Sequence, residues 1–208
     1  MVRLLIDMTD MANESQLREM VSESLNYGAQ LNMKTFDECT DEIVAAALAI
    51  SVALNKGGKI VLFGNGGSAA DAQHIAAEFV GRFVRERGPW PAMALTTDTS
   101  ILTAIGNDYG FEHVYSRQLN ALSASDDVAI AISTSGRSVN IVEGVRAARA
   151  AGATTVGLLG GDGGQVAPLV DIAIIVPSTI TQRIQECHIA IGHIICELIE
   201  ELRNDCIS

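Results

Sequence analysis

The chain has 208 residues, 48% of them hydrophobic and only 4% aromatic, so its core has to be aliphatic and fits one well-packed domain. A formal net charge of -11 repels phosphate backbones and argues against a nucleic-acid partner. The same field opposes anionic small molecules, so any phosphate site has to be local, built from backbone N–H groups and hydroxyls rather than a basic surface.

No apolar run reaches the roughly 18 residues that a membrane span needs. Asp7 and Asp10 interrupt the short apolar start at residues 4–6, which speaks against a signal peptide. The cysteines are Cys39, Cys187, Cys196 and Cys206, and none forms a C-x-x-C pair. These features predict a cytoplasmic protein with reduced thiols and no membrane partner.

In chain order, residues 13–31 read as a helix with Leu17, Met20, Val21 and Leu25 on one face. Residues 41–54 read as a second helix, apolar around most of its circumference and therefore buried on more than one side. Gly57 and Gly58 end it. Five short apolar runs follow, at 59–63, 92–95, 128–132, 155–159 and 172–176. Continuous rather than alternating apolar runs suit strands covered on both faces. Helical patterns separate them at 68–83, 99–105, 139–151 and 165–169. Alternating strand and helix predicts a parallel sheet with right-handed crossovers. Residues 182–202 form a last helix with a broad apolar stripe of Ile184, Ile189, Ile191, Ile194, Ile195, Leu198 and Ile199. A stripe that wide predicts packing against another subunit as well as the chain's own sheet. The expected organisation is a single domain over 1–208, with a helical arm at 1–56 and an α/β core plus C-terminal helix at 57–208.

Two loops carry chemistry. The first is Gly64-Asn65-Gly66-Gly67-Ser68, between the first strand and the next helix. Free N–H groups at a helix start, with the macrodipole behind them, bind anions. Gly66 and Gly67 allow close backbone approach, and Ser68 is expected as both N-cap and phosphate ligand. The second is the hydroxyl cluster Ser133, Thr134, Ser135 and Ser138 around Gly136, again at a strand's carboxyl end, where open parallel sheets place ligands. Either loop alone also reads as an ordinary capped turn. The two together point to phosphate.

His74 and Glu78 share one helix face at i and i+4. Imidazole plus carboxylate at this spacing binds a divalent metal or does acid–base work, and it also occurs as a plain surface contact. The last helix adds Gln185, Glu186, His188 and His193. Spacing does not choose between the two histidines there.

Several motifs carry a resemblance over most of the chain: "GNGGSAADAQHIAAEFVGRF", "TAIGNDYGFEHVYSRQL", "ISTSGRSVNI", "GGDGG" and "RIQECHIAIGHII". On these the chain resembles the sugar isomerase (SIS) domain family and, within it, the phosphoheptose isomerase branch. The resemblance implies a five-stranded parallel sheet sandwiched by helices, flavodoxin-like, with N-terminal helices, assembled as a homotetramer with active sites at subunit interfaces. It implies an enzyme that turns sedoheptulose 7-phosphate into D-glycero-D-manno-heptose 7-phosphate through an enediol, at the start of nucleotide-activated heptose synthesis. It implies Glu78 and His193 as the acid–base pair. Asn65, Gly66, Gly67, Ser68, Asn107, Asp108, Ser133, Thr134, Ser135, Ser138 and Gln185 would bind substrate. His74, Glu78, Gln185 and His193 would hold one Zn2+ per subunit, which selects His193 over His188. The sequence also looks similar to a non-catalytic SIS tetramer that binds a replication initiator protein. Glu78 and His193 together favour the enzyme. Arg137 stands where the family often has Asn in the phosphate loop. Residues 1–11 exceed what the family requires and are expected to lack order.

Overall fold

A computed structural model describes residues 8–203, and the side chains from residue 13 onward. Helix α1 (Met8–Asn55) leads into strand β1 (Ile60–Gly64), and α2 (Gly67–Val80) follows. Next come β2 (Ala92–Ala94), α3 (Thr99–Tyr109), a single 3-10 turn at Phe111–His113 and α4 (Ser116–Leu122). The chain continues through β3 (Val128–Ser133), α5 (Val139–Ala150), β4 (Thr154–Gly160), β5 (Ile172–Val176) and α6 (Thr181–Arg203). The five strands form one parallel sheet in the order β2-β1-β3-β4-β5, the flavodoxin-like order. β1 pairs with β3 from Ile60↔Val128 to Gly64↔Ile132, which brings the carboxyl ends of both central strands to the same level.

The strands sit in the middle because nearly every residue in them is apolar, and the pleat sends alternate residues to opposite faces. Ile60, Leu62, Ile130, Ile132 and Leu158 face one layer, where they pack with Ile50 of α1, Phe79 of α2 and Ile191 and Ile195 of α6. Val61, Phe63, Ala129, Ala131 and Leu159 face the other, with Leu119 of α4 and Ile141 and Val145 of α5.

The arm is one continuous helix of 48 residues, not two. At 1.5 Å per residue it spans about 70 Å. Residues 32–40 contain neither Gly nor Pro, so nothing breaks the ladder there. The buried Thr35 hydroxyl donates to the Leu31 carbonyl at 2.8 Å and so stays satisfied within the helix. Burial begins at Leu31, and the stripe of Leu17, Met20, Val21 and Leu25 is exposed, Leu25 to 68%. Residues 8–11 belong to this helix, against the expectation of no order, whereas 1–7 and Cys206 lie outside the described residues. Among the described residues no helix is long and apolar enough to cross a membrane.

Other boundaries differ in smaller ways. α3 runs on to Tyr109, four residues past the expected end at 105. The helix expected at 165–169 is only a 3-10 turn at Ala167–Leu169, with Pro168 near its start. α4 was not anticipated.

Candidate active site

β1 ends at Gly64, where only glycine fits: a Cβ would lie 2.7 Å from the Ser68 carbonyl oxygen. The turn then needs a left-handed residue, and Gly66 takes it at φ 55°. Gly66 is also the N-cap of α2 and offers no side-chain bond, so the expected capping by Ser68 is not what forms. Ser68 sits one residue inside the helix, and its backbone N–H donates to the Asn65 carbonyl at 3.0 Å. Without a side-chain cap the Gly67 N–H at the helix start stays available to a ligand, whereas those of Ser68 and Ala69 are taken by the Asn65 and Gly66 carbonyls. α5 begins the same way: Ser138 is its N-cap, with no side-chain cap bond.

The two loops converge. Asn65, Gly66, Gly67 and Ser68 line one wall of a cavity of about 280 Å³, and Ser133, Thr134, Ser135 and Ser138 line the other. Thr181 and Gln185 of α6 close it. Gly67 is glycine for a reason here, since a Cβ would stand 2.5 Å from the Gln185 amide nitrogen. Among the described residues no Lys or Arg lines the cavity, and its polar lining is amides and hydroxyls.

Asn140 and Tyr115 support this wall, and sequence reasoning gave them no role. The side-chain amides of Asn65 and Asn140 exchange hydrogen bonds at 2.9 and 2.8 Å, which ties the first loop to α5. The buried Tyr115 hydroxyl donates to the Gly64 carbonyl. Burial pushes that phenol up to about 12, so it remains a donor. Both residues fall inside quoted motifs, and their placement depends on a crossover that the sequence does not display.

Arg137 does not enter the cavity. Its guanidinium grips Asp162 with bonds of 2.9 and 2.6 Å, and one nitrogen also donates to the Ser135 carbonyl at 3.1 Å. The Arg137 bond holds the Asp162 carboxyl at about 2, well below its usual range. The phosphate loop is thereby tied to the loop after β4.

The second cluster lies further along α2. His74 Nε2 is 3.2 Å from Glu78 Oε1, and His193 Nε2 of α6 is 3.1 Å from His74 Nε2. One donor atom from each of these three residues falls within 4.8 Å of the others. Donors about 2.0–2.1 Å from a tetrahedral cation stand about 3.3 Å apart, so the His74–Glu78 and His74–His193 spacings fit ligands of one metal ion. Asp71, one turn before His74, keeps a buried carboxylate oxygen without a partner, and burial raises its pKa while His74 opposes the rise. The ring of Phe83 covers His193 at 5.4 Å between centroids.

His188, the rival histidine, points the other way. It is fully buried and bonds the Leu159 carbonyl at 2.9 Å. Asn107 and Asp108 are exposed at the end of α3, where the Asn107 amide donates to the Asp108 carboxylate at 2.7 Å. They do not line the cavity. The cavity starts at Gly67 and the donor cluster at His74, about 10 Å along α2.

The arrangement is a doubly wound parallel sheet with a cavity lined by amides and hydroxyls at its carboxyl edge. It matches the SIS domain over residues 25–160, and the chain belongs to the SIS domain family. Over 184 residues it is 54% identical to a phosphoheptose isomerase of Aquifex aeolicus, covering 88% of this chain and 96% of that one. The solved phosphoheptose isomerase of Neisseria gonorrhoeae overlays it with a TM-score of 0.84 at 43% identity, over 89% of this chain and 99% of that one. That of Francisella tularensis gives 0.85 at 35% identity, over 88% and 97%. Within the SIS family the chain thus sits among the phosphoheptose isomerases, and it is an enzyme, a sugar phosphate isomerase. No finding supports the non-catalytic, initiator-binding reading.

Proposed function

We propose that the protein isomerises sedoheptulose 7-phosphate to D-glycero-D-manno-heptose 7-phosphate, the entry step to nucleotide-activated heptose. The observation that carries this reading is the pairing of a cavity lined by amides and hydroxyls at the start of α2 with a His74–Glu78–His193 cluster formed further along α2 and across it on α6.

Asn65, Gly66, Gly67, Ser68, Ser133, Thr134, Ser135 and Ser138 hold the phosphate end. Their contacts fix the distance from phosphate to reacting carbons and so supply orientation. Glu78 removes the proton from C1 of the ketose. The C1–H electrons form the C1=C2 double bond while the C2 oxygen gains a proton, and His193 manages that oxygen-bound proton. Return of a proton to C2 and loss of one from the C1 oxygen complete the aldose. In the reverse direction the two residues exchange roles.

His74, Glu78 and His193, with Gln185 as a fourth donor, are the proposed ligands of one Zn2+ per subunit. A bound zinc would polarise the substrate carbonyl and stabilise the enediolate charge. Gln185 also meets substrate at the cavity wall. Asn107 and Asp108 are proposed to contact substrate from a neighbouring subunit of a homotetramer, which accounts for their distance from the cavity of their own chain. The continuous core linking α1, the sheet and α6 supports a single domain over 1–208, with the arm at 1–56 and the core at 57–208. The proposed location is the cytoplasm.

The test is NMR of sedoheptulose 7-phosphate incubated with the protein in D2O, with and without chelator. Aldose labelled with deuterium at C2 supports the enediol route, and loss with chelator adds the metal. Absence of turnover with added zinc overturns the reading.

A further inference from the structure

The end of α2 is held in an unusual way. Helix C-termini leave their last carbonyls without intrahelical partners. Here a guanidinium takes two of them. Arg87 Nη2 donates to the Glu78 carbonyl at 2.8 Å, and Nη1 donates to the Phe79 carbonyl at 2.9 Å. Arg87 is only 6% exposed, and its guanidinium lies 3.6 Å from the centre of the Trp90 ring. Trp90 in turn donates its backbone N–H to Phe79 at 3.0 Å.

The counter-charge comes from the other site-bearing helix. Glu200 of α6 is 4% exposed. Its Oε1 accepts from Arg87 Nε at 3.0 Å and from the Phe83 backbone N–H at 3.1 Å. Its Oε2 accepts from Val84 N–H at 3.0 Å and Arg85 N–H at 2.9 Å. Burial alone would raise the Glu200 pKa, but these three backbone donors and Arg87 hold it below the usual carboxylate value. Glu200 lies about two turns beyond His193 on the same helix face.

We propose that Glu200 and Arg87 are positioning residues: they lock α2 and α6 in register, setting Glu78 and Phe83 against the His74–His193 pair. This rests on the catalytic reading of Glu78 and His193 given above. Glu78 is fixed at its carbonyl by Arg87 and at its carboxylate by His74. Phe83 is fixed at its N–H by Glu200, which keeps its ring over His193. Buried ion pairs add little net stability over apolar packing, so the gain from this one is placement.

The test compares Glu200→Gln and Arg87→Lys with Asp127→Asn. Asp127 is the control because it also forms an ion pair, part-buried, with Lys59 at 2.6 Å, and its bonds run to Lys59 and Ala124 rather than to α2 or α6. Three quantities are read on the full chain: Tm, the kcat and KM for sedoheptulose 7-phosphate, and Co2+ affinity from visible absorption. Glu200→Gln and Arg87→Lys are expected to lower kcat and Co2+ affinity by about tenfold or more, as lost support of metal ligands does. KM stays within about twofold, because the phosphate cradle is untouched. Asp127→Asn lowers Tm and leaves both readouts alone. If the two variants behave like Asp127→Asn, losing Tm only, the proposal is overturned. If the unmodified protein turns over no sedoheptulose 7-phosphate, the proposed function falls, and Co2+ affinity alone decides: equal affinity in all forms, absence of binding included, overturns the positioning role, and a loss confined to Glu200→Gln and Arg87→Lys upholds it.

Discussion

His193 Nε2 lies 3.1 Å from His74 Nε2, across 119 residues of sequence. Two imidazole nitrogens this close either share one proton, donor to acceptor, or turn both lone pairs toward a cation. Glu78 stands 3.2 Å from His74 on the same face, so the proposed base, its proposed proton partner and a candidate metal-ligand set meet in one spot.

Glu78→Gln keeps the shape of the side chain and removes the proton acceptor. Turnover is expected to fall by about 10²–10⁴, the usual contribution of a general base. Aldose formation followed by NMR checks it. Unchanged turnover would take the base role away from Glu78, and a change confined to KM would make it a binding group.

Purified protein is expected to carry about one zinc per chain, in keeping with a single tetrahedral cluster. His74→Ala and His193→Ala each remove one ligand and should lower that content sharply, with activity falling in parallel. Elemental analysis and chelation followed by zinc addition read this directly. A zinc content that neither variant changes would place the metal elsewhere.

Gly164→Ala probes the phosphate cradle from behind. Gly164 has φ +56°, and a Cβ there would meet the carbonyl oxygens of both Gly136 and Ser135 at 2.5 Å. Those are rigid backbone atoms, so the loop carrying Ser133, Thr134 and Ser135 has to move. Loss of orientation is expected to raise KM by about tenfold or more while kcat changes less. Steady-state kinetics with sedoheptulose 7-phosphate measures the split.

His188 predicts sensitivity to acid. Burial lowers its pKa from 6.5 to about 4, although its bond to Leu159 pulls upward. Between those values the unfolded chain binds a proton that the folded chain refuses, so stability falls as pH drops from 6.5 toward 4. The full loss is roughly 3 kcal/mol, reached once both states are titrated. Urea unfolding at pH 7 and pH 4.5 is expected to show a smaller slope of stability against pH for His188→Gln than for the unmodified protein. Equal slopes would show that another group sets the acid response.

Much of this was legible beforehand, and the reasons differ by element. β1, β3 and β4 were readable because strands covered on both faces need uninterrupted apolar runs, and those runs stand out between glycines. α4 was not: Ser116–Leu122 is short, and its buried Gln118 satisfies itself on backbone carbonyls, which leaves no apolar signature. The arm was read as two helices because residues 32–40 mix polar and apolar types, yet composition alone does not end a helix without a breaker. At the site, the four-residue spacing of His74 and Glu78 announced itself. The choice of His193 over His188 did not follow from spacing, since both lie on α6 and only the packing of α6 on α2 and β4 separates their environments. Arg87 and Glu200 were invisible as a pair, being joined only through the loop after α2.

The cradle and the His–Glu–His cluster join residues 65–78 to residues of α6 near the end of the described chain. Residues 65–68, His74 and Glu78 are in place once β1 and α2 have been synthesised, but Gln185 and His193 arrive only with α6, last of the described elements. A growing chain without α6 also lacks Ile184, Ile191, Ile195 and Ile199, and so leaves the sheet face it shares with α1 and α2 only partly covered. Activity and a closed core are therefore acquired together, late in synthesis. A chain cut short before α6 would be both inert and sticky, and chaperones and proteases would recognise its partly bare sheet face rather than a missing histidine.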